Sequence, residues 1–289
     1  MQPSYLNPSS GLCLNVLTTA ARHGDAHLAT EVFRILANRN TVFTHAHYEL
    51  LIDTYVAVGS LEPALSVLCV MEAAGCRPDE GTTRSLFRHL VKEEGNAGDA
   101  FEALRKLHGT GKTVPTAAVN VVIEASVSRG ELARAADQYK ALHGICAAGP
   151  NTATFNHLLR GCRTQQRKDL AMFFAAEMVA LRVTPDVLTY DRLLLVCLAD
   201  DDYEDAVRYW DEMQSLGLPM RRGTAKAFIE RMVRKGDPRA WSIVSEDGRA
   251  REGMEGLLAW LEKEWQVGMV GSEEAARMAP VRRVGSTAH

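Results

Sequence analysis

TATFNHLLRGCRTQQRKDLAMFFAAEMVALRVTPD is the sequence of residues 152–186, and its pattern decides the fold. Phe155, Leu158 and Leu159 recur at helical spacing near its start. Apolar residues at this spacing form one buried stripe on a helix. A second apolar helical pattern follows, and Pro185 ends it because proline cannot continue a helix. The stretch therefore predicts a pair of amphipathic helices.

The same arrangement recurs along the chain with a nearly constant period. A proline followed by Asp or Asn closes three segments, at residues 77–79, 149–151 and 184–186. Counting from the residue after each junction gives units that are 35 or 36 residues long. Internal repetition at this period is typical of helical repeat proteins. The units begin at Ser10, His45, Glu80, Thr116, Thr152, Val187 and Arg222.

Residue types recur at fixed positions within these units. Position 15 is often glycine, which ends a helix in the left-handed conformation. Position 20 is small, so two helices can approach closely, and position 27 is large and apolar. Burying a large apolar side chain contributes about 1.5–3 kcal/mol, and a lone helical hairpin offers no second surface for it, so the units must stack. The residues are Gly24, Gly59, Gly130 and Gly236; Ala29, Ala64, Ala135, Ala171 and Ala206; and Leu36, Met71, Leu142, Met178 and Met213.

We therefore expect an all-α fold, a right-handed superhelical solenoid of about seven helix-turn-helix repeats of ~35 residues. Residues 1–9 are expected to form an N-terminal lead-in, and residues 10–256 the repeat array. Apolar residues at helical spacing predict a C-terminal capping helix, of which residues 257–265 lie beyond the array. Residues 266–289 are expected to form a flexible tail.

Composition argues against several other classes of protein. The six cysteines form no CxxC pair and no zinc-type spacing, so we expect no metal site. Two of them, Cys162 and Cys197, share position 11 and are expected to be buried apolar residues. No apolar run is long enough to span a membrane. No catalytic constellation is present, and we expect neither enzyme activity nor a cofactor.

The N-terminus and the net charge restrict what can be inferred about location and partners. The first 21 residues contain no Lys or Arg, so no transit peptide is visible at this N-terminus. Either the targeting segment lies elsewhere or the chain begins inside a longer protein. The formal net charge of −3 gives no global basic field that would indicate nucleic acid, although a local basic stripe is compatible with it.

The repeat pattern resembles that of the pentatricopeptide repeat family. The features that carry the resemblance are the proline–aspartate junction, the Phe155-Asn156 start, the position-15 glycine, the position-20 alanine and the position-27 methionine. The resemblance covers residues 10–256. Tetratricopeptide repeats have a 34-residue period and a different signature. The resemblance implies single-stranded RNA binding in mitochondria, or alternatively in plastids, with one repeat facing one base.

The resemblance also implies which residues contact the RNA bases. In the family, the side chains at positions 5 and 35 of a repeat select the base. Asn156 with Asp186 is expected to favour uracil, and Asn120 with Asn151 a pyrimidine. Asn120 and Asn156 have an alternative interpretation, because asparagine also caps and hydrogen-bonds well at the start of a helix. The weaker candidate pairs are Glu49 with Asp79 and Asp191 with Arg221.

Position 13, where the family often has a lysine near the phosphates, supplies three cations: Arg22, Lys92 and Arg234. Position 2, which flanks the base in the family, is small in six of the seven units, so we expect weak stacking. The main hypothesis is an organelle RNA-binding adaptor in RNA processing, stability or translation. The alternative is a protein–protein interaction scaffold with little or no RNA binding. Candidate protein partners are the ribosome and RNA-processing factors.

Overall fold

The computed structural model describes residues 10–39, 41–92, 96–235 and 237, which form thirteen α-helices and no strand. The predicted all-α repeat solenoid is confirmed. The lead-in, the capping helix and the tail predicted for residues 1–9, 257–265 and 266–289 lie outside the described residues, as does the end of the array.

The helices alternate between the two halves of each repeat. The first helices begin at the seven residues that open the sequence units. They are α1 (Ser10–His23), α3 (His45–Ala57), α5 (Glu80–Lys92), α7 (Thr116–Ser128), α9 (Thr152–Thr164), α11 (Val187–Ala199) and α13 (Arg222–Arg234). The second helices are α2 (Ala26–Asn38), α4 (Leu61–Ala73), α6 (Asn96–Gly109), α8 (Leu132–Ile145), α10 (Lys168–Ala180) and α12 (Tyr203–Ser215).

The chain divides into two compact units, of which the first ends at Pro185 and the second begins at Asp186. In the first unit, α1, α3, α5, α7 and α9 pack side by side in that order as one layer. Helices α4, α6 and α8 pack in a second layer behind them. In the second unit, α11 packs against both α12 and α13. The first helices of the first unit therefore form one continuous layer.

The conserved spacing of small and large residues accounts for the core. Every alanine at position 20 is fully buried, and every large residue at position 27 is at most 1% exposed. Tyr139 joins three helices of the first unit, since its ring lies 5.5 Å from the rings of both Phe155 and Phe174 in edge-on contacts. Its hydroxyl donates to Glu177 at 3.0 Å, and burial together with this carboxylate raises the pKa of Tyr139.

The predicted left-handed turns at position 15 are confirmed for three glycines, and Gly236 lies outside the described residues. The φ angles of Gly24, Gly59 and Gly130 are 66°, 70° and 78°. Gln166 and Asp201 occupy the same position in later repeats and adopt φ angles of 54° and 59°. An L-residue pays a steric cost in this region that glycine avoids. The turn is therefore imposed by helix packing even where the sequence gives no glycine.

Replacing Gln166 by glycine is predicted to stabilise the protein. The side chain is exposed, so the change removes only the left-handed strain, and the net gain is about 0.5–1 kcal/mol after the extra chain entropy of glycine. Arg163→Gly, three residues earlier within α9, is the control and should destabilise by about 1 kcal/mol. Urea denaturation of both variants measures the difference. Equal losses of stability would contradict the proposed strain.

All six cysteines are described, and they differ in exposure. Cys162 and Cys197 are 0% exposed, which confirms that they are core residues. Burial raises the pKa of the Cys162 thiol to about 12, so its reactive thiolate is scarce at neutral pH. Cys13, Cys69 and Cys146 are also buried, whereas Cys76 is partly exposed.

A thiol reagent is predicted to modify Cys76 alone in the folded protein. Peptide mass spectrometry after brief labelling at neutral pH should find the label there and on no other cysteine. All six should react in denaturant, which is the control. Labelling of Cys162 in native buffer at the rate of Cys76 would show that the repeat containing α9 and α10 opens readily.

Candidate nucleic-acid interface

The candidate base-contacting residues lie where one repeat meets the next. A residue at position 35 precedes the first helix of the following repeat and acts as its N-cap. Asn151 caps α9, and Asp186 caps α11. In both cases the side chain accepts a hydrogen bond from the backbone N–H of a threonine three residues later, whose hydroxyl accepts one in return. Asn151 and Asp186 therefore cap helices, whereas Asn120 and Asn156 lie within α7 and α9 and are not N-caps.

The structure brings Asn120 and Asn151 together through Thr154. The Asn120 Nδ2 donates to Asn151 Oδ1 at 3.1 Å, and Thr154 Oγ1 lies 2.7 Å from Asn120 Oδ1. Thr154 Oγ1 also lies 3.1 Å from Asn151 Oδ1, but a hydroxyl has one proton and the shorter contact takes it. Asn120 is 7% exposed and Thr154 is fully buried. Both oxygens of the asparagine pair are thus occupied within the protein.

This arrangement leaves one polar group directed to solvent. The Asn151 side chain is exposed, and its Nδ2 has no hydrogen-bond partner among the described residues. An amide NH₂ is a donor of two hydrogen bonds. Helix capping and base contact are therefore compatible in Asn151, because Oδ1 caps the helix while Nδ2 remains available to a ligand acceptor.

The other code-like pair, Asn156 and Asp186, is divided between the two units. Asn156 belongs to the first unit and is 5% exposed. Asp186 begins the second unit and is exposed, and its Oδ1 accepts from the Thr189 backbone N–H at 2.8 Å. Their assignment as uracil-contacting residues stays a prediction.

The weaker pair Glu49 and Asp79 places two carboxylates at one junction. A Cβ added to Gly81 would lie 2.8 Å from Glu49 Oε1 and 3.2 Å from Asp79 Oδ1, so glycine at position 2 leaves the space that these groups fill. The Thr82 backbone N–H holds the pKa of Asp79 below its ordinary value. Ionised carboxylates only accept hydrogen bonds, and they repel a phosphate backbone. This junction is poorly suited to RNA.

The pair Asp191 and Arg221 lies within the second unit. Asp191 is 6% exposed, and its carboxylate accepts a hydrogen bond from the Thr224 hydroxyl. Arg221 is exposed and precedes α13 as an N-cap without a side-chain cap bond. Only the arginine of this pair is accessible to a ligand.

Sequence reasoning missed the threonines at position 3. Each is buried, and each hydrogen-bonds at the junction through its hydroxyl. The sequence does contain a signal for these threonines. Threonine occupies position 3 in four of the seven units, and in three of these an Asp or Asn stands three residues before it, which is the spacing of a helix capping box. The residues are Thr82, Thr154, Thr189 and Thr224.

Thr154→Val is predicted to destabilise the protein by about 1–3 kcal/mol. It removes the buried hydroxyl that bonds the Asn120 side-chain carbonyl and the Asn151 backbone N–H. Thr164→Val is the control. Its hydroxyl is exposed and donates only to the Arg160 carbonyl, so its loss should change stability by less than about 0.5 kcal/mol. Thermal and urea unfolding measure both. Similar effects of the two substitutions would argue against the junction network.

The three phosphate candidates Arg22, Lys92 and Arg234 are exposed in the last turns of their first helices. A fourth cation reaches this position from a neighbouring repeat. Arg160 Nη2 donates to Ser128 Oγ, at position 13, over 2.7 Å. Its Nη1 lies 3.3 Å from Glu124 Oε1, so this cation is neutralised within the protein.

Two family profiles match the chain. One, described as "Pentatricopeptide repeat-containing protein", matches residues 10–142, and one described as "Pentatricopeptide repeat domain" matches residues 148–218. This chain belongs to the pentatricopeptide repeat family. The two matches end and begin close to Pro150, at one of the proline junctions that define the repeat period.

Characterised pentatricopeptide repeat proteins are similar over much of the chain. A mitochondrial pentatricopeptide repeat-containing protein of Arabidopsis thaliana is 25% identical over 254 residues, 82% of this chain and 40% of the relative. A chloroplastic one from the same plant is 25% identical over 190 residues, 63% of this chain and 24% of the relative. The chain therefore spans less than half the length of these relatives.

A solved structure shares the fold. The pentatricopeptide repeat domain of Arabidopsis thaliana protein-only RNase P 1, in complex with tRNA, superposes with a TM-score of 0.51 at 16% identity. The match covers 65% of this chain and 98% of that domain.

Among the described residues of this chain, no group of three or more His, Cys, Asp or Glu side chains could hold a metal, and no helix is long and apolar enough to cross a membrane.

Proposed function

We propose that this pentatricopeptide repeat protein binds single-stranded RNA along the layer of first helices and acts as an organelle adaptor in RNA processing, stability or translation. The observation that carries the proposal is the junction of Asn120, Asn151 and Thr154. It holds a solvent-directed amide donor in a fixed place, at the two repeat positions that select the base in this family. Binding is its role, and it performs no catalysis of its own.

The donor chemistry of this junction is compatible with the pyrimidine that the family resemblance implies. On the pairing edge, uracil carries the acceptors O2 and O4 on either side of the N3–H donor, and cytosine carries the adjacent acceptors O2 and N3. Asn151 Nδ2 can donate to such an acceptor while Oδ1 remains bonded to the Thr154 N–H. Bases of single-stranded RNA expose these edges, which a duplex hides.

The similar proteins support RNA as the ligand and an organelle as the location. The RNase P 1 domain that shares this fold was solved with tRNA, and the two relatives are named mitochondrial and chloroplastic. We place this chain in the mitochondrion, with the plastid as the other outcome of a localisation experiment. Fractionation of the native organism and detection of the endogenous protein decide between them.

Asn151→Asp is predicted to change base preference without unfolding the protein. Aspartate keeps the cap acceptor for Thr154 N–H but replaces the exposed donor with an acceptor. Selection from a random single-stranded RNA pool, followed by sequencing, should show altered preference at one nucleotide position. Asn38→Asp, at the exposed end of α2, adds the same charge away from the first-helix layer and should leave the preference unchanged.

Two results would count against the proposed function. Wild-type protein that shows no saturable RNA binding at low salt contradicts RNA as the ligand. Association with a protein partner that survives nuclease treatment, in the absence of RNA binding, favours the protein-scaffold hypothesis. An Asn151→Asp variant that binds like the Asn38→Asp variant would remove the junction from the base-contacting role.

A further inference from the structure

Helix α5 carries three cations on one face. Arg84, Arg88 and Lys92 follow each other at intervals of four residues, and all three side chains are exposed. None forms an ion pair or a side-chain hydrogen bond with another described residue. Glu93 and Glu94, which follow in the sequence, lie outside the described residues. We call these three residues the α5 stripe.

The geometry of the α5 stripe concentrates positive charge. Residues four apart on a helix are separated by about 6 Å along the axis, so the stripe is about 12 Å long. Like charges at this spacing repel and weaken a helix. The described residues supply no carboxylate at ion-pair distance to relieve the repulsion. An external anion would relieve it.

The stripe distinguishes this repeat from the others. Its members stand at positions 5, 9 and 13 of the unit that begins at Glu80, and no other unit of the sequence has cations at all three positions. In the preceding unit, positions 5 and 9 are Glu49 and Asp53. Within the first unit, α5 is therefore the first helix with the longest row of cations.

Arg160 is an arginine at position 9 whose charge is paired within the protein. It has the same repeat position as Arg88, but it reaches back to the preceding first helix, with 3.3 Å between Nη1 and Glu124 Oε1 and 2.7 Å between Nη2 and Ser128 Oγ. Arg88 makes no such contact with described residues. The comparison indicates that Arg88 is available to a ligand and Arg160 is held by the fold.

We propose that the α5 stripe binds the phosphate backbone of single-stranded RNA and that the repeat of residues 80–115 reads no base. This rests on the proposed function. Its last residue, the counterpart of position 35 in the 35-residue units, is Pro115, which is buried and has no side-chain donor or acceptor, so the repeat lacks the second base-selecting group. Guanidinium groups bind phosphate in a bidentate manner, and a basic track that follows the backbone binds without sequence preference.

The test is the salt dependence of RNA binding by the R84Q/R88Q/K92Q variant. Binding of a fluorescent random-sequence single-stranded RNA is titrated between about 50 and 200 mM salt. Each lost phosphate contact reduces the log–log slope by about 0.7, so the triple variant should lose about 2 from the slope and Arg88→Gln about 0.7. Arg160→Gln is the matched control and should leave the slope unchanged.

The outcomes separate this inference from the proposed function. Saturable wild-type binding with an unaltered slope in the triple variant overturns the inference and leaves RNA binding standing. A change in base preference at one position, in place of a uniform loss of affinity, also overturns it. Absence of any wild-type binding overturns both. Because the triple variant loses three like charges, its Tm should equal or exceed that of the wild-type protein. If the triple variant fails to fold, the salt slope of Arg88→Gln alone tests whether the α5 stripe binds phosphate.

Discussion

The hydrogen bond from the Thr154 hydroxyl to Asn120 is the contact on which the interpretation of this structure depends. It ties α9 to α7, and it involves the asparagine pair that we propose as a base-contacting site. Because the acceptors of this pair are bonded before any ligand arrives, the Asn151 amide is oriented in the free protein. A side chain that is already ordered loses little entropy on binding, which improves both affinity and selectivity.

In the proposed function, the first-helix layer separates two tasks that RNA recognition requires. Phosphate contacts provide affinity and depend on salt, whereas base contacts provide selectivity. In this chain a row of three exposed cations lies on α5, and the oriented amide lies at the junction of α7 and α9. A formal net charge of −3 is compatible with this division, because a local stripe within the screening length decides how a phosphate is attracted. In the proposed function, the acidic residues Glu49 and Asp53 on α3 limit the footprint of the RNA on one side.

The sequence period and apolar spacing were sufficient to predict the helical pairs and the buried residues at positions 20 and 27. The left-handed residues Gln166 and Asp201 could not be predicted, because the only local signal for that conformation is glycine and packing replaced it. The division of the Asn151 amide could not be predicted either, because only the geometry shows that Oδ1 caps α9 while Nδ2 has no hydrogen-bond partner among the described residues. The pairing of Arg160 with Glu124 depends on the register between α9 and α7, and a single sequence does not contain that register.

Photocrosslinking tests most directly whether RNA lies on the first-helix layer. A random single-stranded RNA containing 4-thiouridine is bound, irradiated and digested, and the linked peptides are identified by mass spectrometry. The account predicts crosslinks to peptides from α5, α7, α9 and the segment around Asn151, and few from α6, α8 and α10. Crosslinks concentrated on the second helices would contradict it, because the oriented amide and the α5 stripe would then lie away from the bound strand.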